Sequence, residues 1–244
     1  MQGIDMGFSG HDRFVTVGQA VGGYGCDVPT CGLAWITTPQ PLVLEYWPVA
    51  ESMLHDALTT VANWRGYGSV EHGSVFYGQK AHSLRDFFRL PTLTDEEFVL
   101  ALAIHPDERK DLESLRANGW QLLDPASVAS TTGDYRRFIG GSKAEFGIAK
   151  SGYVESRCGW FSDRSACYLA SGRPVVAQET GFSRFLPGGA GLIPFTTIEE
   201  ALEGIDEING RYALHSRAAH EIAEVYLDSD RVLTRLLENV GASR

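Results

Sequence analysis

No run of eighteen or more apolar residues occurs in the 244-residue chain, which excludes a membrane-spanning helix. Cysteine is scarce. Cys26, Cys31, Cys158 and Cys167 are too few for a disulfide-built scaffold. The first residues, MQGIDMGFSGHDRF, lack the basic and apolar regions of a secretory leader. Together these absences lead us to expect a cytoplasmic protein with reduced thiols. Basic residues are also in deficit, 21 Lys and Arg against 31 Asp and Glu, for a net charge of −10. A surface of that sign repels polyanions, so nucleic acid and anionic membranes are poor partners. Any anionic ligand needs a local basic pocket. The composition is otherwise that of a globular chain, 43% hydrophobic and 21% charged, enough to bury a core.

Several chemical motifs are missing as well. There is no GxxxxGK[ST] phosphate loop. VGGYG at 21–25 lacks the spacing and the following helix of a dinucleotide fingerprint. GWFSD and GFSRF fall short of the GxSxG nucleophile elbow. Cys26-x4-Cys31 has no second pair, and His55, His72, His82, His215 and His220 show no metal spacing, so no metal site is expected. His11-Asp12 reads as a surface dipeptide, because adjacent residues of an extended chain point to opposite faces.

Residues 1–56 are rich in Gly and Pro and carry only short apolar pieces, which predicts loops and short strands. From residue 57 strands and helices alternate. Leu58–Trp64, Phe98–Ile104, Trp120–Leu123, Ala144–Ala149, Pro174–Gln178 and Gly191–Phe195 read as strands. The unbroken apolar run FVLALAI suits a strand buried on both faces. Helices are predicted over Lys80–Leu90, from Pro106 to Asn118, over Asp134–Ile139 and Ser162–Ser171, and from Thr197, where Glu200 completes a capping box. Two more close the chain, about Tyr212–Leu227 and Asp230–Asn239. This alternation implies an α/β fold, a Rossmann-like parallel sheet with helices on both faces, preceded by a short irregular segment. Ligands of such sheets sit at the carboxyl ends of the strands.

The informative stretch is Lys150–Gly181. Ser162 suits an N-cap and Asp163 the positive end of a helix. Arg164 opposes the helix dipole, unless an anion lies at the helix start, where N–H groups and an Arg form a phosphate site. Lys150 and Arg157 lie in the loop that enters the same place. The alternative is that Arg164 pairs with a surface carboxylate. After the next strand, Gly181 permits close backbone approach. Glu179 there is either an acceptor for sugar hydroxyls or simply solvated.

The segment FSDRSACYLASGRPVVAQETGFSRFLPGGAGLIPFTTIEEA resembles the donor-binding part of GT-B type glycosyltransferases. The chain is especially similar to bacterial glycosyltransferase-like proteins of the spore-maturation CgeB group, in which Ser-x-Arg opens this helix, as Ser162 and Arg164 do here. The resemblance spans about Thr59 to Leu237. It implies a C-terminal GT-B half that binds a nucleotide-sugar as substrate, with no cofactor, and transfers a hexosyl group to an acceptor. Ser162, Arg164 and Ser165 would face the donor diphosphate, with Arg65 and Lys80 neutralising it. Thr180, Gly181 and Phe182 would approach the sugar, and His105 either reaches the same cleft or caps the helix that follows it. Two departures stand out. Where many relatives carry two glutamates, this chain has Gly159 and Cys167; the latter reads as core. Residues 1–56 are also too short for an acceptor domain, so they are expected to be its remnant. A homodimer or a separate acceptor-domain chain would then supply the rest. A non-catalytic nucleotide-sugar binding module and a nucleotide-sugar epimerase are the alternatives.

Overall fold

The computed structural model describes residues 7–66 and 68–242. Its strands in chain order are β1 (Phe14–Thr16), β2 (Trp35–Thr37), β3 (His55–Asn63), β4 (Val70–His72), β5 (Val75–Tyr77), β6 (Glu97–Ala103), β7 (Gln121–Leu123), β8 (Ser142–Gly147), β9 (Val175–Gln178) and β10 (Leu192–Phe195). The helices are α1 (Lys80–Arg85), α2 (Arg109–Ala117), α3 (Pro125–Val128), α4 (Thr132–Gly141), α5 (Ser151–Ser156), α6 (Asp163–Ala170), α7 (Ile198–Gly210), α8 (Tyr212–Ile222) and α9 (Ser229–Val240).

Six strands form one parallel sheet in the order β10-β9-β8-β3-β6-β7. The chain runs outward from β3 to β6 and β7, then returns to lay β8 on the other flank of β3. The strand order therefore reverses between β3 and β8, which opens a crevice at their carboxyl ends. Neighbouring residues of a strand feed opposite faces. Val176 joins a core with Leu84, Phe87, Leu115, Phe146 and Ile205. Val175 and Ala177 join a second core with Tyr168, Leu169 and Ile222. The apolar run in β6 is buried on both faces, with Phe98, Leu100, Ala101 and Leu102 all at or below 5% exposure. Below the sheet's centre, the Thr59 hydroxyl lies 2.6 Å from both Ser142 Oγ and Tyr168 Oη, so these buried oxygens satisfy one another.

The predicted strands and most of the predicted helices are present, and the capping box of α7 forms with Thr197 and Glu200. Some readings need correction. The second helix begins at Arg109, because residues 106–107 form a turn with Glu108 N bonded to His105 O at 3.0 Å. The helix from Lys80 is shorter than predicted and ends at Arg85, with 3-10 turns around Pro91. The predicted loop after Lys150 contains α5, and the long gap between Arg65 and Lys80 holds the β4–β5 hairpin. That hairpin turns at Gly73 and Ser74, both with positive φ, a two-residue turn suited to strand twist.

The segment before β3 is irregular and held down at intervals. Strands β1 and β2 pair in parallel, with Phe8, Phe14 and Trp35 packed ring to ring. Ala20 N donates to Cys158 O at 2.9 Å and Asp27 N to Ser156 O at 3.1 Å. Leu42 N donates to Leu227 O at 2.8 Å, and Ser229 N to Leu42 O at 2.9 Å.

Candidate functional site

At the crevice between β3 and β8, the ends of both strands and the start of α6 enclose a cavity of about 270 Å³. Val61, Ala62 and Asn63 of β3 form one wall. Lys150, following β8, and Ser162, Asp163 and Arg164 at the head of α6 form the other. Lys80, the first residue of α1, closes the side. Among the described residues, three basic side chains and one carboxylate thus line a single crevice in a chain of net charge −10.

Arg164 is fixed by the sheet beneath it. Its Nε donates to Glu145 Oε1 at 2.5 Å and its Nη1 to Val61 O at 3.0 Å. Glu145 is fully buried in β8 and the Arg164 side chain is 11% exposed. Burial works against the Arg164 charge, but the Glu145 carboxylate outweighs it, so the guanidinium is held firmly protonated. Its partner is therefore a buried carboxylate, not the surface one that sequence reasoning set as the alternative. Glu145 Oε2 has no hydrogen-bond partner among the described residues. Lys80 is also buried and donates from Nζ to Ile148 O. Burial, reinforced by the nearby Arg164 charge, pushes its pKa well below that of an ordinary lysine. Lys150 places Nζ 5.5 Å from the centre of the Tyr153 ring.

Ser162 occupies the N-cap position of α6, but its side chain makes no cap bond to the helix. The first intrahelical bond is from Ala166 N to Ser162 O at 3.0 Å, which leaves the N–H groups of residues 163–165 without helical partners. Ser165 is 2% exposed and faces a slot of about 10 Å³, room for at most one water.

Other sequence candidates lie elsewhere. Arg65 is a surface residue that forms an ion pair with Glu108 and does not line the crevice. His105 is exposed, and its Nδ1 accepts from Asp107 N at 3.2 Å, within the turn before α2. Thr180 is buried and donates to Trp160 O at 2.5 Å. Phe182 is 1% exposed and packs on Phe161 with ring centres 5.3 Å apart. Gly181 has φ +92, and a Cβ there would meet Arg157 O at 2.8 Å. Glu179 accepts from the Gly181 N–H. The 179–182 loop is therefore braced internally rather than open to the crevice.

The positions of the two missing glutamates have physical explanations. Gly159 has φ +73, and a Cβ on it would lie 2.8 Å from Ala20 N. The N-terminal segment occupies the space that a side chain would need. Cys167 is 7% exposed in the second core, and burial pushes its thiol up to about 12, so it stays neutral. Glu145 was missed by sequence reasoning. A single carboxylate inside the otherwise apolar AEFGIA strand was the available signal. No cluster of three or more His, Cys, Asp or Glu suited to a metal is present among the described residues. None of the helices described is long and apolar enough to cross a membrane.

No protein-family model and no curated protein sequence matches the chain. Solved structures do match in fold. A glycosyltransferase from Rickettsia africae superposes with TM-score 0.62 at 13% identity, over 93% of this chain and 62% of that one. Anabaena Alr3699/HepE, solved with UDP and glucose, gives 0.57 at 10% identity over 86% and 57%. TarM of S. aureus gives 0.58 at 12% identity over 87% and 39%. The chain has the α/β fold of glycosyltransferase Rossmann-like domains and spans less than two thirds of the length of these structures.

Proposed function

We propose that the β3–β8 crevice binds the diphosphate of a nucleotide-sugar and that the chain takes part in transferring its hexosyl group. The observation that carries this reading is the convergence of Arg164, Lys80 and Lys150 with the head of α6 at the point where strand order reverses. Donors fixed in advance stabilise charge on a departing diphosphate without reorganising during the reaction. Arg164 is such a donor, because Glu145 and Val61 O set its orientation. The unpaired helix N–H groups add a positive pole. Structures of similar fold solved with UDP and glucose support the ligand class.

A second reading, a binding module without turnover, is favoured by one observation. Among the described residues, Asp163 is the one carboxylate lining the crevice, and it sits at the helix start rather than opposite it. Calorimetry with UDP, GDP and UDP-glucose separates the possibilities. Replacing Glu145 and Arg164 together by Gln removes the cation without stranding a buried charge. The expected result is a loss of nucleotide affinity of about 100-fold, the scale of a charge-assisted contact. Unchanged affinity would place the ligand elsewhere. UDP release from UDP-glucose on addition of an acceptor marks the enzyme, and binding without release marks the module.

A further inference from the structure

A second cavity, of about 640 Å³, adjoins the crevice and shares Lys150, Tyr153 and Trp160 with it. Three separate stretches of chain build it. The N-terminal segment contributes Val21 and Val28, the β4–β5 hairpin contributes Val70 and Tyr77, and α5 contributes Tyr153. Its size is that of a small-molecule pocket, mostly apolar with a few polar groups.

The walls are held in place. Ala20 and Asp27 bond to the backbone of Cys158 and Ser156. The hairpin returns tightly over α5, where Gly152 N donates to Gly78 O at 3.1 Å and Gly78 N to Ser151 Oγ at 3.0 Å. A Cβ at Gly78 would lie 2.6 Å from Ser151 Oγ, so this crossing admits no side chain. Where the two cavities meet, the Tyr153 and Trp160 rings lie 4.7 Å apart at 36°, and Lys150 Nζ stands over Tyr153.

We infer that this cavity holds the acceptor and that the acceptor is a phenol, its ring among Tyr77, Tyr153 and Trp160 and its hydroxyl at the Lys150 end. The inference rests on the transfer reading above. Aromatic walls favour a flat ring through offset and edge contacts. The acidity of the hydroxyl separates a phenol from an alkyl alcohol. Among the described residues, the carboxylates and the histidine lining the two cavities are Asp27, Asp163 and His72, and His72 lies on the exposed strand β4. Asp27 is drawn towards Arg157, 3.9 Å away. A phenol, with a pKa of about 10, needs less help from a base than an alcohol, and a nearby ammonium stabilises its anion. In the transfer the phenol oxygen bonds to the anomeric carbon as that carbon's bond to the diphosphate oxygen breaks. The electron pair leaves with the diphosphate, and the phenol proton passes to bulk water.

The probe is 2-naphthol, titrated into the full chain and followed by fluorescence. Saturable binding is expected, weakened about ten-fold or more by Val28→Trp, which projects an indole into the cavity, and by Val70→Asp, which charges an exposed hairpin position and spares the core. Thermal melts check that both variants fold. The paired Glu145→Gln and Arg164→Gln change should leave naphthol affinity within about two-fold while removing UDP affinity. Absence of saturable binding, or equal binding by wild type and both variants, overturns the inference. Displacement of naphthol by lower concentrations of n-decanol overturns the aromatic class. Naphthol binding in a wild-type protein that binds no nucleotide overturns the acceptor role and traces that failure to the donor crevice.

Discussion

The two adjoining cavities draw on different parts of the chain. The crevice is made by the ends of β3 and β8 and the head of α6, elements anchored in the two cores of the sheet. Its chemistry is charge, and each basic side chain comes from a position that the topology fixes. The larger cavity is made by an irregular segment, a surface hairpin and one short helix. Its chemistry is shape, and its precision depends on close backbone approaches at Gly78, Gly152 and Gly159. A regular sheet thus positions the charges, while the less regular chain around it defines the apolar space. The first arrangement should be costly to break and the second easy to reshape.

The largest effect should come from breaking the buried ion pair. Arg164→Ala alone strands the Glu145 carboxylate and should destabilise the protein by about 3–5 kcal/mol in chemical denaturation. Glu145→Leu with Arg164→Met should recover most of that stability and none of the nucleotide affinity. If the single change is as mild as the double, the pair is not buried as described.

Gly159→Ala is the matching test of the other cavity. It faces both a positive φ and the Ala20 backbone, so it should cost about 1–3 kcal/mol and expose residues 18–30 to proteolysis. No measurable cost and no new cleavage would mean that the N-terminal segment is a loose cover.

A smaller effect concerns protons. The Lys80 pKa is depressed in the ligand-free protein, so an arriving diphosphate should raise it and draw a proton from solvent. Between the two values, affinity should fall as pH rises, by at most about ten-fold per unit. Calorimetry in buffers of different ionisation enthalpy measures the uptake, and an enthalpy independent of buffer would exclude it. The smallest effect is expected from Arg65→Ala. The Arg65–Glu108 pair lies at the surface, so its loss should cost less than about 1 kcal/mol and leave UDP affinity unchanged.

The regularity of the sheet also explains what the sequence made legible. FVLALAI and the capping box at Thr197 are local signals, and each lies on an element whose core the alternation already implied. The crevice was legible as far as Arg164 and Lys80, because strand ends and helix starts are predictable places. The partner of Arg164 was not, since it comes from a strand 19 residues earlier. Thr180 and Phe182 sit at a strand end as expected, yet both side chains turn inwards, which no spacing reveals. The larger cavity escaped the sequence reading because its walls meet only in three dimensions. The Gly73-Ser74 dipeptide between Val-Glu-His and Val-Phe-Tyr was the one local clue to its hairpin.

One contact ties the beginning of the chain to its end. Leu42 exchanges backbone bonds with Leu227 and Ser229, the residues that lead into the last helix. A pull on that helix is therefore felt by the segment that walls the apolar cavity. Shortening the protein from its carboxyl terminus should loosen a pocket that the deleted residues never touch. Deuterium uptake at the Leu42 and Ser229 amides should then follow a common opening rate.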